Sequence, residues 1–398
     1  MGVAAKGSGV APGFGHGPGF AWHLPVTVRF GAGCTEALPA ELGERRAIVL
    51  GFTPATALGW RARWQERLGD RLLEWVEVDD GLSSLARCRE LSARVWPLLA
   101  REPGAVLVAL GGGTTLDVAK VLRCRPLDGR FDGIERALRG QAAWPALERA
   151  PLWMVPTTAG TGSEVTRWAT VWDTGAEPPV KRSFDEPFGW AERAYVDPLL
   201  TLSCPLAVTR DTALDALSHA LESVWNRHAN PVSDALALTA ARRVLRALPA
   251  ALQSPDDLAL RTELALAALE AGLAFSQTRT ALAHALSYAV TLEQGLPHGL
   301  AVALWLPTAW ELAVGHDARV DALLARVFAP VTATLDDAAV ASAQAARGGQ
   351  MLRAWLQRLG VELDPARLGI TDAAQRVQAA LGSVRGKNFV GAVGQGGA

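Results

Sequence analysis

An α/β half built on a parallel sheet, followed by an all-α half, is the fold class this sequence predicts. Three observations carry it. Short continuous apolar runs alternate with helical patterns up to about residue 200. The two segments densest in glycine and threonine each follow such a run directly. From about residue 205 the chain turns Ala- and Leu-rich, with helical periodicity and almost no strand signal.

The elements follow in order. Residues 1–24 are rich in Gly, Pro and Ala, and GFGHGPGF there follows no strand and opens no helix. A flexible tail is expected, with His16 and His23 incidental to function. RAIVLGF at 46–52 reads as a buried strand, 54–69 as a helix carrying Leu58, Trp64 and Leu68, and WVEV at 75–78 as a strand. Residues 85–100 space Leu85, Leu91, Val95 and Leu98 for one helix face. AVLVAL at 105–110 and LWMVP at 152–156 are further strands. This βαβ rhythm implies a parallel sheet with helices on both faces. Four helices are expected over 210–225, 232–251, 257–275 and 279–291. A boundary at Cys204–Pro205 therefore separates 25–204 from 205–398, and GAVGQGGA reads as a loose end.

Composition narrows the function classes. The chain has 398 residues, 49% hydrophobic and 20% charged, which is globular rather than disordered. A net charge of -1 excludes a whole-chain basic footprint for nucleic acid. No uncharged apolar run reaches membrane-spanning length. Lys6 is followed by no apolar h-region, so no secretory signal is expected. Cys34, Cys88, Cys124 and Cys204 form no CxxC pair, which fits a reduced, cytoplasmic protein. No GxSxG elbow, HExxH or Walker loop is present.

Three segments carry chemistry. GGGTTLDVAK, Gly111 to Lys120, links an apolar strand to a helix. Its glycines allow close backbone approach, Thr114 is expected to cap the helix, and free N–H groups at a helix start favour a phosphate. Asp117, in the first turn, is suited to binding hydroxyls or holding the loop. PTTAGTGSEVT, Pro156 to Thr166, is dense in the hydroxyls and glycines that wrap a polar ligand. Loops at strand C-termini are where open α/β sheets bind nucleotides. Third, Asp215 and His219 are four apart on a predicted helix, so they share a face. His284 lies on a second predicted helix, with His298 in the PHG loop after it. One carboxylate and up to three imidazoles converging between helices would suit a divalent metal. The alternative is a simple helix pair of Asp215 and His219 beside core histidines. His228 and His316 read as surface residues.

These motifs, together with VDPLLT at 196–201, LDALSHALES at 214–223, ANPVSDALAL at 229–238 and HALSYAVTLEQGLPHGLAVALWLP at 284–307, resemble the iron-containing alcohol dehydrogenase family. They stand in the family's order from about residue 26 to 390. The resemblance implies a Rossmann-like domain over 25–204 for the dinucleotide, a helical metal- and substrate-binding domain over 205–398, and a cleft between them, the fold shared with dehydroquinate synthase. It implies Fe(II) or Zn(II) on Asp215, His219, His284 and His298, with NADPH or NADH as hydride donor to a small aldehyde. Gly112, Gly113 and Thr114 match the pyrophosphate loop, Thr157, Thr158 and Thr161 the second cofactor loop, and Lys181 a lysine near the nicotinamide ribose. The family also implies at least a homodimer.

Three departures stand out. Tyr288 occupies the place, four residues after the third ligand, of a histidine proposed to relay the proton, so Tyr288 or water takes that role. VLGFT, with Gly51, stands where NAD-preferring members often carry an aspartate; NADP is thereby permitted, with Arg61 or Arg63 to assist. The sequence after GKNFVGAV lacks the last helix of many members. Within the family, ESVWNRHANPVSDALAL and FSQTRTALAHALSYAVT are most similar to phosphonoacetaldehyde reductases. A dianionic substrate needs cations, and Arg279 and Arg167 are the candidates. The competing readings are a general short-chain alcohol dehydrogenase, a dehydroquinate synthase-like lyase, and a non-catalytic cofactor-binding protein.

Overall fold

The computed structural model describes residues 19–79, 81–329 and 338–392. Most of the expected tail, with His16, and all but the start of the GAVGQGGA end lie outside them. The first part of the chain runs β1 (Thr27–Phe30), α1 (Leu38–Leu42), β2 (Ala47–Phe52), α2 (Pro54–Ala57), α3 (Trp60–Leu68), β3 (Leu72–Val78), α4 (Leu85–Arg101), β4 (Val106–Gly111) and α5 (Gly113–Leu122). It continues through β5 (Cys124–Pro126), α6 (Asp132–Leu138), β6 (Leu147–Arg149), β7 (Leu152–Pro156), β8 (Trp168–Asp173), β9 (Val180–Asp185) and β10 (Arg193–Val196). Six strands form one sheet in the order β1-β10-β7-β4-β2-β3, and every pair in it is parallel. β5–β6 and β8–β9 are antiparallel pairs beside it.

Alternation along the strands sends side chains to two cores. Ile48 and Leu50 join Val76, Leu107 and residues of α4 and α5 on one face. Ala47 and Val49 join Val106, Val108, Trp60 and Trp64 on the other. The central strands are buried on both faces, which is why they read as unbroken apolar runs.

The expected helix over 54–69 is two helices, broken where Gly59 takes φ 74°. β1, β10 and the antiparallel pairs β5–β6 and β8–β9 gave no clear sequence signal. Residues 19–24, expected to be loose, are tied down at His23: its backbone exchanges hydrogen bonds with the Gln277 side chain, and its ring meets Trp190 edge-on.

From Leu206 onward every regular element among the described residues is a helix. The helices are α7 (Leu206–Val224), α8 (Pro231–Gln253), α9 (Leu258–Thr278), α10 (Leu282–Gln294), α11 (His298–Ala303), α12 (Leu306–Ala313), α13 (Ala318–Phe328), α14 (Ala338–Arg358) and α15 (Ala373–Gly382). They enclose one core of Ala, Leu and Trp side chains, including Leu217, Leu221, Trp225 and Trp310. α9 also sends Ala265 and Leu269 into the core beneath the sheet, joining the two halves. No helix among the described residues is long and apolar enough to cross a membrane.

Candidate metal and cofactor site

α7 presents Asp215, His219 and Glu222 at i, i+4 and i+7, one stripe of a helix. α10 carries His284 in its first turn and Tyr288 one turn later. His298 is the first residue of α11 rather than a loop residue. A Cβ on Gly299 would lie 1.7 Å from the Asp211 carbonyl oxygen, so only glycine lets α11 rest on the α7 backbone there. That contact brings His298 beside Asp215.

Three imidazole Nε2 atoms surround one carboxylate oxygen. From Asp215 Oδ1, His284 Nε2 is 3.4 Å away, and His219 Nε2 and His298 Nε2 are each 3.8 Å away. Ligand atoms of Asp215, His284 and His298 lie within 4.8 Å of one another. His219 stands just outside that mutual set, its ring stacked on Phe275 at 4.0 Å and on His284 at 4.6 Å. Asp215 Oδ1 and His284 Nε2 are buried and have no hydrogen-bond partner among the described residues. Buried polar atoms are normally paired, so these orphaned donors fit a metal. Ligands each about 2.0–2.2 Å from a shared ion stand roughly 3–3.5 Å apart, close to the spacing seen. The side chains of Asp215, His219 and His284 are buried, whereas that of His298 is 36% exposed and marks the open side.

Charge is arranged to match. Burial opposes ionisation of Asp215, but His219 and the other imidazoles outweigh it and hold the carboxyl below its usual range. Burial lowers His219 to about 4 and His298 to about 3, so both are neutral, lone-pair donors at pH 7. His284 is drawn upward despite burial, chiefly by Glu222.

Glu222 is a site residue that the sequence pattern does not single out. Its Oε2 lies 2.7 Å from His284 Nδ1. It also accepts the backbone N–H groups of Ala281, Ala283 and His284, capping α10 from another helix. The available signal was a carboxylate three residues after His219 in the largely apolar C-terminal half of α7.

The two glycine-rich loops meet at the C-terminal edge of the sheet. Thr114 does not cap α5: Gly112 holds the cap position, and among the described residues no side chain bonds the first N–H groups. They stay free for a phosphate. A Cβ on Gly113 would meet Thr161 Cγ2 at 2.6 Å, and one on Gly112 would touch Thr158 at 3.4 Å. Asp117 holds the loops together, accepting from Ser163 Oγ at 2.8 Å and from the Thr170 N–H at 2.8 Å. Thr157 is buried, its N–H bonded to the Gly111 carbonyl. Gly51 sits in β2 beneath the Trp75 indole, where a Cβ would approach within 2.2 Å, so its lack of a side chain serves packing. β2 and β4 are neighbours whose following helices pack on opposite faces, the switch point where such sheets bind nucleotides.

Lys181 lies on β9 with Nζ 3.7 Å from the Tyr288 ring centroid. Burial, then the charge of Arg385, pushes its ammonium well below the usual lysine range. Tyr288 stacks on His298, 6.0 Å between centroids and 4° apart in plane. The two arginines expected to face an anionic substrate do otherwise: Arg279 and Arg167 both pair with Asp185, at 2.8 and 2.9 Å.

Comparison with known proteins agrees with this architecture. A family model described as iron-containing alcohol dehydrogenase matches residues 25–198, and one described as Fe-containing alcohol dehydrogenase family, C-terminal, matches 209–384. "Long-chain-alcohol dehydrogenase 1" of Geobacillus thermodenitrificans is 31% identical, over 64% of this chain and 71% of its own length. "Probable alcohol dehydrogenase EutG" of Escherichia coli is 32% identical, over 61% of this chain and 64% of its own. The chain thus spans a little under two thirds of that relative. Among solved structures, an iron containing alcohol dehydrogenase superposes with TM-score 0.70 at 26% identity, covering 93% of this chain and 94% of that one. A sulfoacetaldehyde reductase of Bifidobacterium kashiwanohense, solved with NAD+, shares the fold at TM-score 0.77 and 23% identity, covering 94% and 95%.

Proposed function

The chain belongs to the iron-containing alcohol dehydrogenase family, and on that premise we propose that it is a metal-dependent, NAD(P)H-linked reductase of small aldehydes. The observation that carries the reading is the ring of three Nε2 atoms around the orphaned Asp215 Oδ1. When bound, a divalent metal supplies Lewis acidity to the carbonyl oxygen and the nicotinamide supplies the hydride. The chain's own residues do the rest. Asp215, His219, His284 and His298 would hold Fe(II) or Zn(II), and Glu222 orients His284. The free N–H groups of α5 and the threonines of 157–161 would seat the dinucleotide. Burial raises the Tyr288 phenol, so it keeps its proton at neutral pH and can return one to the alkoxide oxygen.

NADPH is the preferred donor in this reading, because no carboxylate follows β2 in VLGFT to repel a 2'-phosphate. The specific reaction proposed is phosphonoacetaldehyde to 2-hydroxyethylphosphonate, on the strength of ESVWNRHANPVSDALAL and FSQTRTALAHALSYAVT. The four cysteines are free, which suits the reducing cytoplasm, and a homodimer rests on the family resemblance.

The test is oxidation of NADPH and NADH by air-excluded, Fe(II)-loaded protein, comparing phosphonoacetaldehyde with uncharged aldehydes of similar length. One cofactor oxidised per aldehyde consumed, with phosphonoacetaldehyde preferred, is the expected result. Turnover of plain aldehydes alone would keep the reductase and discard the phosphonate. Product formed without net cofactor oxidation would point instead to lyase chemistry.

A further inference from the structure

Two cations stand beside the metal-ligand cluster without a carboxylate of their own. Lys181 Nζ lies 3.7 Å from the Tyr288 ring centroid, and Arg385 Cζ lies 5.1 Å from the same centroid. Their charges feel each other, since Arg385 is the largest cause after burial of the lowered Lys181 ammonium. Asp117 and Asp215 attract Lys181 only from beyond ion-pair distance: Asp215 Oδ1 faces three imidazoles, and Asp117 is bonded to Ser163 and Thr170. Among the described residues neither cation is in an ion pair, in contrast to Arg167 and Arg279, which share Asp185.

Arg385 is held in place from behind. Its Nε–H donates to Thr280 Oγ1 at 2.9 Å, and Asn388 Nδ2 donates to the Thr280 carbonyl at 2.9 Å. Its Nη groups have no protein hydrogen-bond partner among the described residues. They form the half of the guanidinium fork that binds two oxygens at once. The Tyr288 ring, which both cations approach, stacks on His298, the most exposed member of the cluster. Burial and the neighbouring guanidinium both disfavour the Lys181 ammonium, and an oxyanion bridging Lys181 and Arg385 offsets both costs.

We propose that Arg385, with Lys181, forms a clamp for a tetrahedral oxyanion, a phosphonate or a sulfonate, on the aldehyde substrate. The inference rests on the reductase reading and specifies which aldehydes it takes. Arg385, rather than Arg167 or Arg279, sets the preference for an anion.

The test uses the full-length, metal-reconstituted protein and two unreactive probes, ethylphosphonate and ethanesulfonate, with binding followed by calorimetry. Wild type, R385Q and R385K are compared, the lysine variant keeping the charge but losing the fork. R385Q should weaken binding of the preferred probe by roughly tenfold or more. It should lower the ratio of kcat/KM for the anionic aldehyde over propanal by a similar factor, with R385K in between. The tighter probe in wild type identifies the oxyanion. Probe binding indifferent to R385Q, with uncharged aldehydes still reduced, would overturn the clamp and leave the reductase standing. Probe binding that depends on Arg385, in a protein that reduces no aldehyde, would keep the clamp and overturn the reductase. An R385Q defect confined to NADPH binding would assign the pair to the cofactor and overturn the proposal.

Discussion

Glu222 Oε2 lies 2.7 Å from His284 Nδ1, and that contact sets the chemistry of the opposite edge of the ring. An ionised carboxylate only accepts, so Nδ1 carries a proton, and with a metal bound Nε2 would be the ring atom free to ligate. Glu222 is fully buried and held below its usual carboxyl range: burial opposes ionisation, but the His284 charge and the α10 N–H groups outweigh it.

Glu222→Gln should therefore weaken metal binding while the fold persists. The amide oxygen can still accept N–H groups of α10, but the tautomer of His284 is no longer enforced. Loss of such an outer partner typically costs 10–100-fold in metal affinity. Competition against a chromogenic chelator would measure it; unchanged affinity would remove Glu222 from the metal site.

Gly299→Ala tests how α11 is seated. The added Cβ would meet a backbone oxygen, which cannot move aside as a side-chain tip could. Overpacking of this kind costs about 1–3 kcal/mol. Thermal denaturation should show that loss, and metal content should drop because His298 shifts with its helix. Wild-type metal content in the folded variant would show that His298 is positioned by something else.

Glu164 gives a pH signature distinct from catalysis. Burial raises its carboxyl from 4.5 to about 7, against a smaller pull from its own backbone N–H and from Lys120. The folded state therefore holds the proton more tightly than the unfolded state. The stabilisation is fully present below pH 4.5 and is lost as pH rises through about 7. Glu164→Gln mimics the protonated form, so its melting temperature should exceed that of wild type at pH 8 and converge with it near pH 4.5. A constant difference across that range would contradict the assignment.

Much of the site was legible in the sequence because it depends on local spacing. Asp215 and His219 share a face through helix periodicity alone, and the glycine loops announced themselves by following apolar strands. His284 and His298 converge through tertiary packing, so only the order of motifs linked them to Asp215. Glu222 was hidden because a glutamate at the next turn of a helix ordinarily faces solvent. Arg385 was hidden because its segment, SVRGKNF, has no periodicity and reaches Tyr288 only through the anchoring of Asn388 and Arg385 on Thr280. Lys181 was located by resemblance, while the hairpin that carries it left no clear alternation. Arg167 and Arg279 looked available because Asp185, their shared partner, is distant from Arg279 in sequence.

In the proposed reductase, aldehyde reduction depends on a metal held by Asp215, His219, His284 and His298. The most direct test is metal stoichiometry and NAD(P)H oxidation measured side by side on wild type and His284→Ala after identical anaerobic Fe(II) loading. About one metal per wild-type chain with turnover is expected, and in the folded variant little metal and no turnover. Full activity and full metal content in His284→Ala would contradict this dependence.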